Sequence, residues 1–397
     1  MSDMYFSSHI PPVALWALCL CAACVLMLAV IYMLKVQTVT AFRRRSLRQR
    51  VDKDDADFEP ASVIVYSQGD NEYLEQQLRT ILGQNYPAPF EVIVVNDGES
   101  TDVRDTVSML RAAHSNIYLT FTPEGVVNLS RKKLALTLGI KAARYGTVVL
   151  TTAAADIESD LWLRRMMEPF CRGGKTEVAL GYAYVDPAED TAFGRRRRAF
   201  DHTVDSVRWI GAAVSGRPFR GTEHNIAYRK DTFMRNKGFA RRLNLCNGDD
   251  DIFISEIATG DNTAVVLTEE SPVRMRQGNH PRLFRERMTR RFFTERFIRR
   301  RPRVLFALTG WLQIVAFAAA VAAAVIAFPN LSGIAGGAVL ILLMCVLDII
   351  IWRQAMTAMM SRRLLLTIPW LSATYPLRRM AGRIRSRFGK QKKYTWD

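Results

Sequence analysis

Cysteine is sparse and unpatterned. Six occur in 397 residues: Cys19, Cys21 and Cys24 inside one apolar run, Cys345 inside another, Cys171 and Cys246 alone. That spacing offers neither a disulfide framework nor a zinc site, and it fits a reducing compartment or lipid. Acidic residues are also short, 38 against 55 Lys and Arg, for a net charge of +17. No nucleic-acid motif accompanies the excess, so no nucleic-acid partner is expected. No Lys or Arg precedes Lys35, and no Ala-x-Ala site closes the first apolar run. A cleaved signal peptide carries its charge before the run, so this one reads as an anchor. Internal repeats are missing, and the one low-complexity tract is 195–198, four arginines.

The basic charge is clustered. Five arginines fall between Arg43 and Arg50, ten between Arg282 and Arg303, and eight Lys or Arg between Arg378 and Lys393. Each cluster abuts an apolar segment, a placement suited to an anionic lipid leaflet. Residues 10–34 are apolar and exceed the roughly 20 needed to span a bilayer. The arginines that follow place the amino terminus outside and residue 41 onward in the cytoplasm. Residues 304–328 and 331–352 read as a membrane hairpin turning at Pro329-Asn330. Residues 281–303 carry Phe284, Met288 and Phe292 at helical spacing among arginines, the pattern of a helix lying in the interface. Leu364 to Leu377 is short and interrupted by Pro369 and Pro376, and reads as interfacial or re-entrant. The expected organisation is an anchor at 1–40, a basic then acidic linker at 41–60, a globular domain at 61–280, the interfacial helix at 281–303, the hairpin at 304–352, and an interfacial segment with a basic tail at 353–397. Membrane lipids are therefore expected partners.

The globular part is α/β. Short apolar runs near 61–66, 91–95, 116–121, 147–151 and 178–184 read as buried strands of a mostly parallel sheet. Helices fit between them, at 73–82 and at 130–144, where Leu134, Leu138 and Ala142 recur at helical spacing. The run Val92-Ile93-Val94-Val95 closes in Asn96-Asp97-Gly98, placing a carboxylate at a strand's carboxyl end, where open α/β sheets bind ligands. Asp97 is thus a candidate for hydrogen bonds to a nucleotide; the alternative is an Asp that bonds its own turn.

Three adjacent carboxylates, Asp249, Asp250 and Asp251, precede an apolar run. Like charges so close require a cation, a positive partner or a shared proton. One reading makes Asp250 a general base that deprotonates an acceptor hydroxyl; the other makes the cluster a favourable helix start. Lys132 and Lys133 open the 130–144 helix, where they either meet a phosphate or face solvent. Arg287, Arg290 and Arg291 either clamp a pyrophosphate or touch lipid headgroups.

Taken in order, these pieces resemble the family-2 glycosyltransferases, inverting enzymes of the GT-A fold, and in particular bacterial membrane-anchored members. The resemblance spans residues 60–295. It rests on the stretch from Phe90 to Asp102 as the first nucleotide-binding motif, Lys132 to Ile140 as the lysine-containing helix, and Gly221 to Lys230 with Lys237-Gly238-Phe239 as the acceptor-side segment. Gly248 to Asp251 stands as the catalytic acidic motif. It implies a GT-A-like nucleotide-binding domain flanked by transmembrane helices, in a multi-pass protein of the bacterial inner membrane with its catalytic domain in the cytoplasm. It further implies a nucleotide-sugar donor, a lipid-linked or surface-glycan acceptor, Asp250 as base supported by Asp249 and Asp251, and Asp97, Lys132 and Arg290 on the nucleotide. Two positions depart from the family. Where it places Asp-x-Asp for a divalent ion, Mg²⁺ or Mn²⁺, this chain has Thr152-Ala153-Ala154, and the first carboxylate is Asp156. Either Asp156 and Glu158 hold the metal, or its binding is weak or absent. Of the Gln-x-x-Arg-Trp motif, only Arg290 agrees. The competing reading is a degenerate member that serves as a membrane assembly or partner-binding component.

Overall fold

The computed structural model describes residues 10–48, 54–69, 72–98, 100–123, 129–171, 174–185, 193–245, 247–276, 280–328, 330–361 and 364–388. The first nine residues, 49–53 of the linker, Cys246, Pro329 and the basic tail at 389–397 lie outside them.

The chain enters through α1 (Pro12–Arg48). At 1.5 Å per residue its 37 residues extend about 55 Å, well beyond a hydrocarbon layer of roughly 30 Å. Its last turns therefore run on into the globular part. There follow β1 (Ala61–Ser67), α2 (Leu74–Leu82), β2 (Phe90–Asn96), α3 (Thr101–Ala113), β3 (Ile117–Phe121), α4 (Arg131–Ala142) and β4 (Thr147–Thr152). Next come β5 (Ala155–Asp156), α5 (Trp162–Met167), β6 (Val178–Leu180), β7 (Ala183–Tyr184) and the long α6 (Phe193–Val214). The domain closes with β8 (Ile226–Arg229), α7 (Lys230–Arg235), α8 (Ile252–Ile257), β9 (Thr263–Val265) and β10 (Val273–Met275). Beyond it lie α9 (Pro281–Thr294), α10 (Arg300–Ala327), α11 (Leu331–Ala358) and α12 (Ile368–Phe388).

Seven strands form one sheet in the order β3-β2-β1-β4-β8-β6-β9. It is parallel except at β8, which runs antiparallel to both β4 and β6. The expected mostly parallel α/β sheet is present, with the 178–184 strand split into β6 and β7. A second sheet, β5-β10-β7, stands beside it. All seven residues of β1 are buried, because helices cover both faces. Alternation along the strand assigns them: Val63 and Val65 join one core with Leu74, Leu78 and Trp162. Ile64 and Tyr66 join another, which continues through Phe200, Trp209 and Ile210 of α6 into Tyr32 and Val36 of α1 and Trp352 and Met356 of α11. One face of the seven-stranded sheet is thus continuous, through α6, with the apolar helices.

Among the described residues, three helices are long and apolar enough to cross a membrane: α1, α10 over Ala307–Ala327, and α11. They pack with Ile10 close to Gly333 at one end, and the α/β domain docks at the other. The basic stretch 281–303 is not one helix. It ends at Thr294 and restarts as α10, because residues 295–299 turn the chain. Residues 364–377 are not a separate broken segment either; most of them belong to the 21-residue α12. Pro369 stands in its first turn, where no backbone donor is needed, and Pro376 lies inside it.

Close approach of α4 to the sheet depends on Gly139. A Cβ there meets Val95 Cγ2 at 2.7 Å and Ile64 Cγ2 at 3.1 Å. Gly139→Leu is expected to destabilise the fold by about 1–3 kcal/mol through overpacking, despite the better helix propensity of Leu. Denaturant unfolding of the detergent-solubilised protein checks this; unchanged stability contradicts it.

Candidate active site

The strand order reverses direction between β1 and β4: the chain passes from β1 out to β2 and β3, then returns to β4 on β1's other side. Such a switch opens a crevice at the carboxyl ends of the strands. Tyr66, Asp97 and Thr152 stand there, with the first turn of α4 above them.

Asp97 bonds side chains from two other elements. Its Oδ2 accepts a hydrogen bond from Tyr66 OH at 2.6 Å, and its Oδ1 accepts one from Arg131 Nε at 3.1 Å. Its side chain is almost fully buried, whereas Arg131 is part-exposed.

The two lysines that open α4 divide in role. Ser130 caps the helix by accepting from Lys133 N–H at 3.4 Å. Lys133 Nζ points down, fully buried, and donates to the carbonyls of Arg242, Leu245 and Asn247, each at 2.8 Å. It fastens the loop leading into the acidic motif. Lys132 points into the crevice, 2.7 Å from Asp249 Oδ2 and also paired with Glu223. Burial alone would lower its pKa; Asp249 and Glu223 outweigh that and keep it cationic.

The acidic motif is set by Gly248, whose φ of +105° suits glycine, and where a Cβ would meet Ile252 Cδ1 at 2.5 Å. Each aspartate then goes a different way. Asp251 caps α8 by accepting from Ile252 N–H at 2.7 Å, and also accepts from Thr294 Oγ1 of α9. Asp249 pairs with Lys132. Asp250 is anchored through its backbone, its carbonyl accepting from Gly221 N–H at 2.9 Å, and its carboxyl lines the cleft. Burial, then the charges of Asp251, Asp249 and Glu223, push that carboxyl well above the usual carboxylate range. The helix-start reading falls on Asp251, which caps α8; Asp250 is the carboxyl of the three whose proton affinity is raised.

Several residues of the cleft escaped the sequence reasoning. Glu223 and His224 precede β8 and reach the crevice because β8 lies next to β4. His224 Nδ1 is 2.7 Å from Thr152 Oγ1. Burial, then Arg287 and Lys132 against the opposing pull of Glu223, lower the His224 pKa to about 4. It is neutral at pH 7. Arg287 stands 3.3 Å from Met275 Sδ, and burial and Arg291 lower it to about 9. Arg290 lines the same cleft and pairs with Glu286 at 2.5 Å. The quoted segment Gly221 to Lys230 was the one signal for Glu223 and His224.

The residues do not fit a divalent ion in the Asp-x-Asp position. Thr151 Oγ1 donates to the His224 carbonyl at 2.9 Å, and Thr152 is engaged with the imidazole. Asp156 lies on β5, where Arg274 and Arg276 both bind its carboxylate, Arg276 at 2.9 Å. Glu158 is held by the same Arg274 at 3.1 Å. Among the described residues no group of three or more His, Cys, Asp or Glu is arranged to hold a metal, and Asp156 does not line the cleft that joins Lys132, Asp250 and Arg290.

The α/β domain has counterparts among known proteins. Residues 62–242 match the family model described as glycosyl transferase family 2. Among solved structures, the mannosyltransferase PcManGT from Pyrobaculum calidifontis, in complex with GDP-Man and Mn²⁺, superposes with a TM-score of 0.59 at 17% identity over 93% of this chain and 99% of that one. Glucosyl-3-phosphoglycerate synthase from Mycobacterium tuberculosis is similar over 57% of this chain and 77% of its own, at 15% identity and a TM-score of 0.37. No curated protein sequence matches the chain.

The raised Asp250 carboxyl carries a stability cost whose sign is fixed. A carboxyl whose folded pKa exceeds its unfolded value of about 3.9 destabilises the fold increasingly as pH rises past that unfolded value, and the cost is complete above the folded one. Asp250→Asn is therefore expected to raise the melting temperature at pH 8, with the gain shrinking as pH falls and vanishing near pH 4. Thermal melts of both proteins across that range check it. A gain independent of pH, or a loss, contradicts it.

Proposed function

We propose that the protein, whose residues 62–242 match the model of glycosyl transferase family 2, moves a sugar, with inversion, from a nucleotide-sugar donor to a hydroxyl of a lipid-linked or surface-glycan acceptor. The observation that carries the reading is Asp250: one carboxyl of raised proton affinity, left over after Asp249 and Asp251 have found partners, in a cleft at the strand ends. In a single displacement the acceptor oxygen attacks the anomeric carbon while its proton passes to Asp250. The bond from that carbon to the diphosphate breaks, and its electron pair leaves with the nucleoside diphosphate. Lys132, Arg287 and Arg290 supply fixed positive charge where the diphosphate charge develops. Asp97, held between Tyr66 and Arg131, orients the nucleoside. PcManGT was solved with a donor of this chemical class and Mn²⁺; here hydroxyls and an arginine-bound carboxylate stand in the metal motif, so the arginines and Lys132 take over much of the charge neutralisation.

The three apolar helices anchor the enzyme in a bacterial cytoplasmic membrane. Arginine clusters gather where α1 leaves the apolar layer and where α10 enters it, which puts the catalytic domain on the cytoplasmic side with the nucleotide supply. A second reading, a degenerate member serving as an assembly component, draws on the clamping of Asp156 by two arginines and on the full engagement of Asp97.

Asp250→Asn keeps the shape and removes the base. Transfer is expected to fall by about 10²-fold or more while donor affinity stays within about twofold; a donor screen reading nucleoside-diphosphate release and calorimetry decide it, and near-normal turnover refutes the base.

Turnover is also expected to survive chelation largely intact and to fall on the order of 10²-fold in Arg287→Ala. Strict dependence on added Mg²⁺ or Mn²⁺ with Arg287→Ala unaffected would show that a metal carries the leaving-group charge. No turnover of any donor under any ion would favour the assembly reading.

A further inference from the structure

Behind the catalytic cleft, between α6, α9 and α12, lies a second cavity of about 350 Å³. Its lining holds eight arginines and three carboxylates, an excess of five positive charges. The carboxylates are already shared. Asp205 takes Arg220 at 3.2 Å and Arg291 at 2.5 Å, Asp201 takes Arg378 at 2.5 Å, and Glu295 takes Arg379 together with Arg383. Burial, then the neighbouring Arg208 and Arg383, push Arg379 well below its usual value. A guanidinium keeps its proton at neutral pH, so the crowding is borne as positive potential that an anion would relieve. Phe284, Met288 and Phe292 give the cavity an apolar wall.

Two neighbouring spaces share residues with the cavity. Arg291 lines both it and the cleft of Asp250, and Arg220 reaches from Asp205 to within 3.9 Å of Asp251. On the other side, Tyr375 and Arg379 are shared with a gap of about 230 Å³ between α10 and α12, walled by Ala307, Trp311, Ile314 and Met380. α12 exposes Trp370, Leu377, Met380 and Ile384 along one stripe, while Arg378, Arg379 and Arg385 line the cavity. An amphipathic helix of that kind lies in the membrane interface, so the gap meets the bilayer.

We propose that this cavity seats the phosphate of a membrane-borne acceptor: a lipid whose phosphodiester or pyrophosphate is held by the guanidiniums, whose chain leaves through the α10–α12 gap, and whose glycosyl hydroxyl reaches Asp250. The proposal deepens the transferase reading and rests on it. Arginine is suited to the task because its planar fork grips phosphate oxygens in pairs. A soluble anion would account for the charge but not for the apolar residues of the neighbouring gap; a bulk lipid would account for the gap but not for the arginine shared with the cleft of Asp250.

The test uses the full-length protein in phosphatidylcholine nanodiscs and measures binding of farnesyl diphosphate, farnesol and inorganic pyrophosphate, with phosphatidylglycerol as competitor. Farnesyl diphosphate is expected to bind at least about tenfold more tightly than either part alone. Arg285→Gln with Arg385→Gln should weaken it about tenfold. Both arginines are exposed, so the double variant should fold, and a thermal melt matching wild type checks that it does. Equal binding of pyrophosphate, full competition by phosphatidylglycerol, or unchanged affinity in the double variant overturns the proposal. The measurement needs no turnover, so its failure is distinct from that of the base. Lipid-diphosphate binding without donor turnover removes the transferase reading and keeps the seat; turnover without such binding does the reverse.

Discussion

Lys132 holds together a set of charges that would otherwise repel. Asp249, Asp250, Asp251 and Glu223 come from two distant loops, and the lysine pairs directly with Asp249 and Glu223. Asp251 is drawn away to the start of α8 and to Thr294. What remains is one carboxyl, Asp250, surrounded by negative charge and by burial, with its proton affinity raised by both. The arrangement depends on the backbone below it: Lys133 ties down the loop before the motif, and Gly248 supplies the turn that lets three consecutive aspartates diverge. Holding a carboxyl there with its proton affinity raised costs stability once it ionises.

The same architecture sets the site against the membrane. One face of the central sheet packs on α6, and α6 packs on α1 and α11. The crevice at the strand ends is therefore held at a fixed height above the apolar helices. α9 crosses between them and presents Arg287 and Arg290 to the catalytic cleft and Arg291 to both cavities. A short basic helix thus contributes to the leaving-group side and to the acceptor side at once.

Much of this was legible in the residues. β1 to β4 were marked by short β-branched runs, and the carboxylates at 97 and 249–251 by where those runs and the apolar segment after them stop. The 178–184 run was read as one strand and is two, β6 and β7; β5, β8, β9 and β10 were not marked, because they are two to four residues long and form only when longer neighbours hold them. Lys132 and Lys133 could not be told apart, since adjacent helical residues differ by about 100° and periodicity does not say which faces the loop at 242–247. Glu223 and His224 reach the site through the antiparallel pairing of β8 with β4, a contact across some seventy positions that no local pattern carries. The break between α9 and α10 was hidden because the arginine-rich composition runs through it unchanged.

The central claim is that Asp250 acts as a base whose proton affinity is raised by its neighbours. Its most direct measurement is the pH dependence of kcat/KM for nucleoside-diphosphate release by the full-length protein with donor and acceptor present. Activity should fall on the acid side with an apparent pKa well above the ordinary aspartate value of about 3.9, and the residual activity of Asp250→Asn should lack that limb. A profile flat down to pH 5, or an acid limb that persists in Asp250→Asn, would contradict the account.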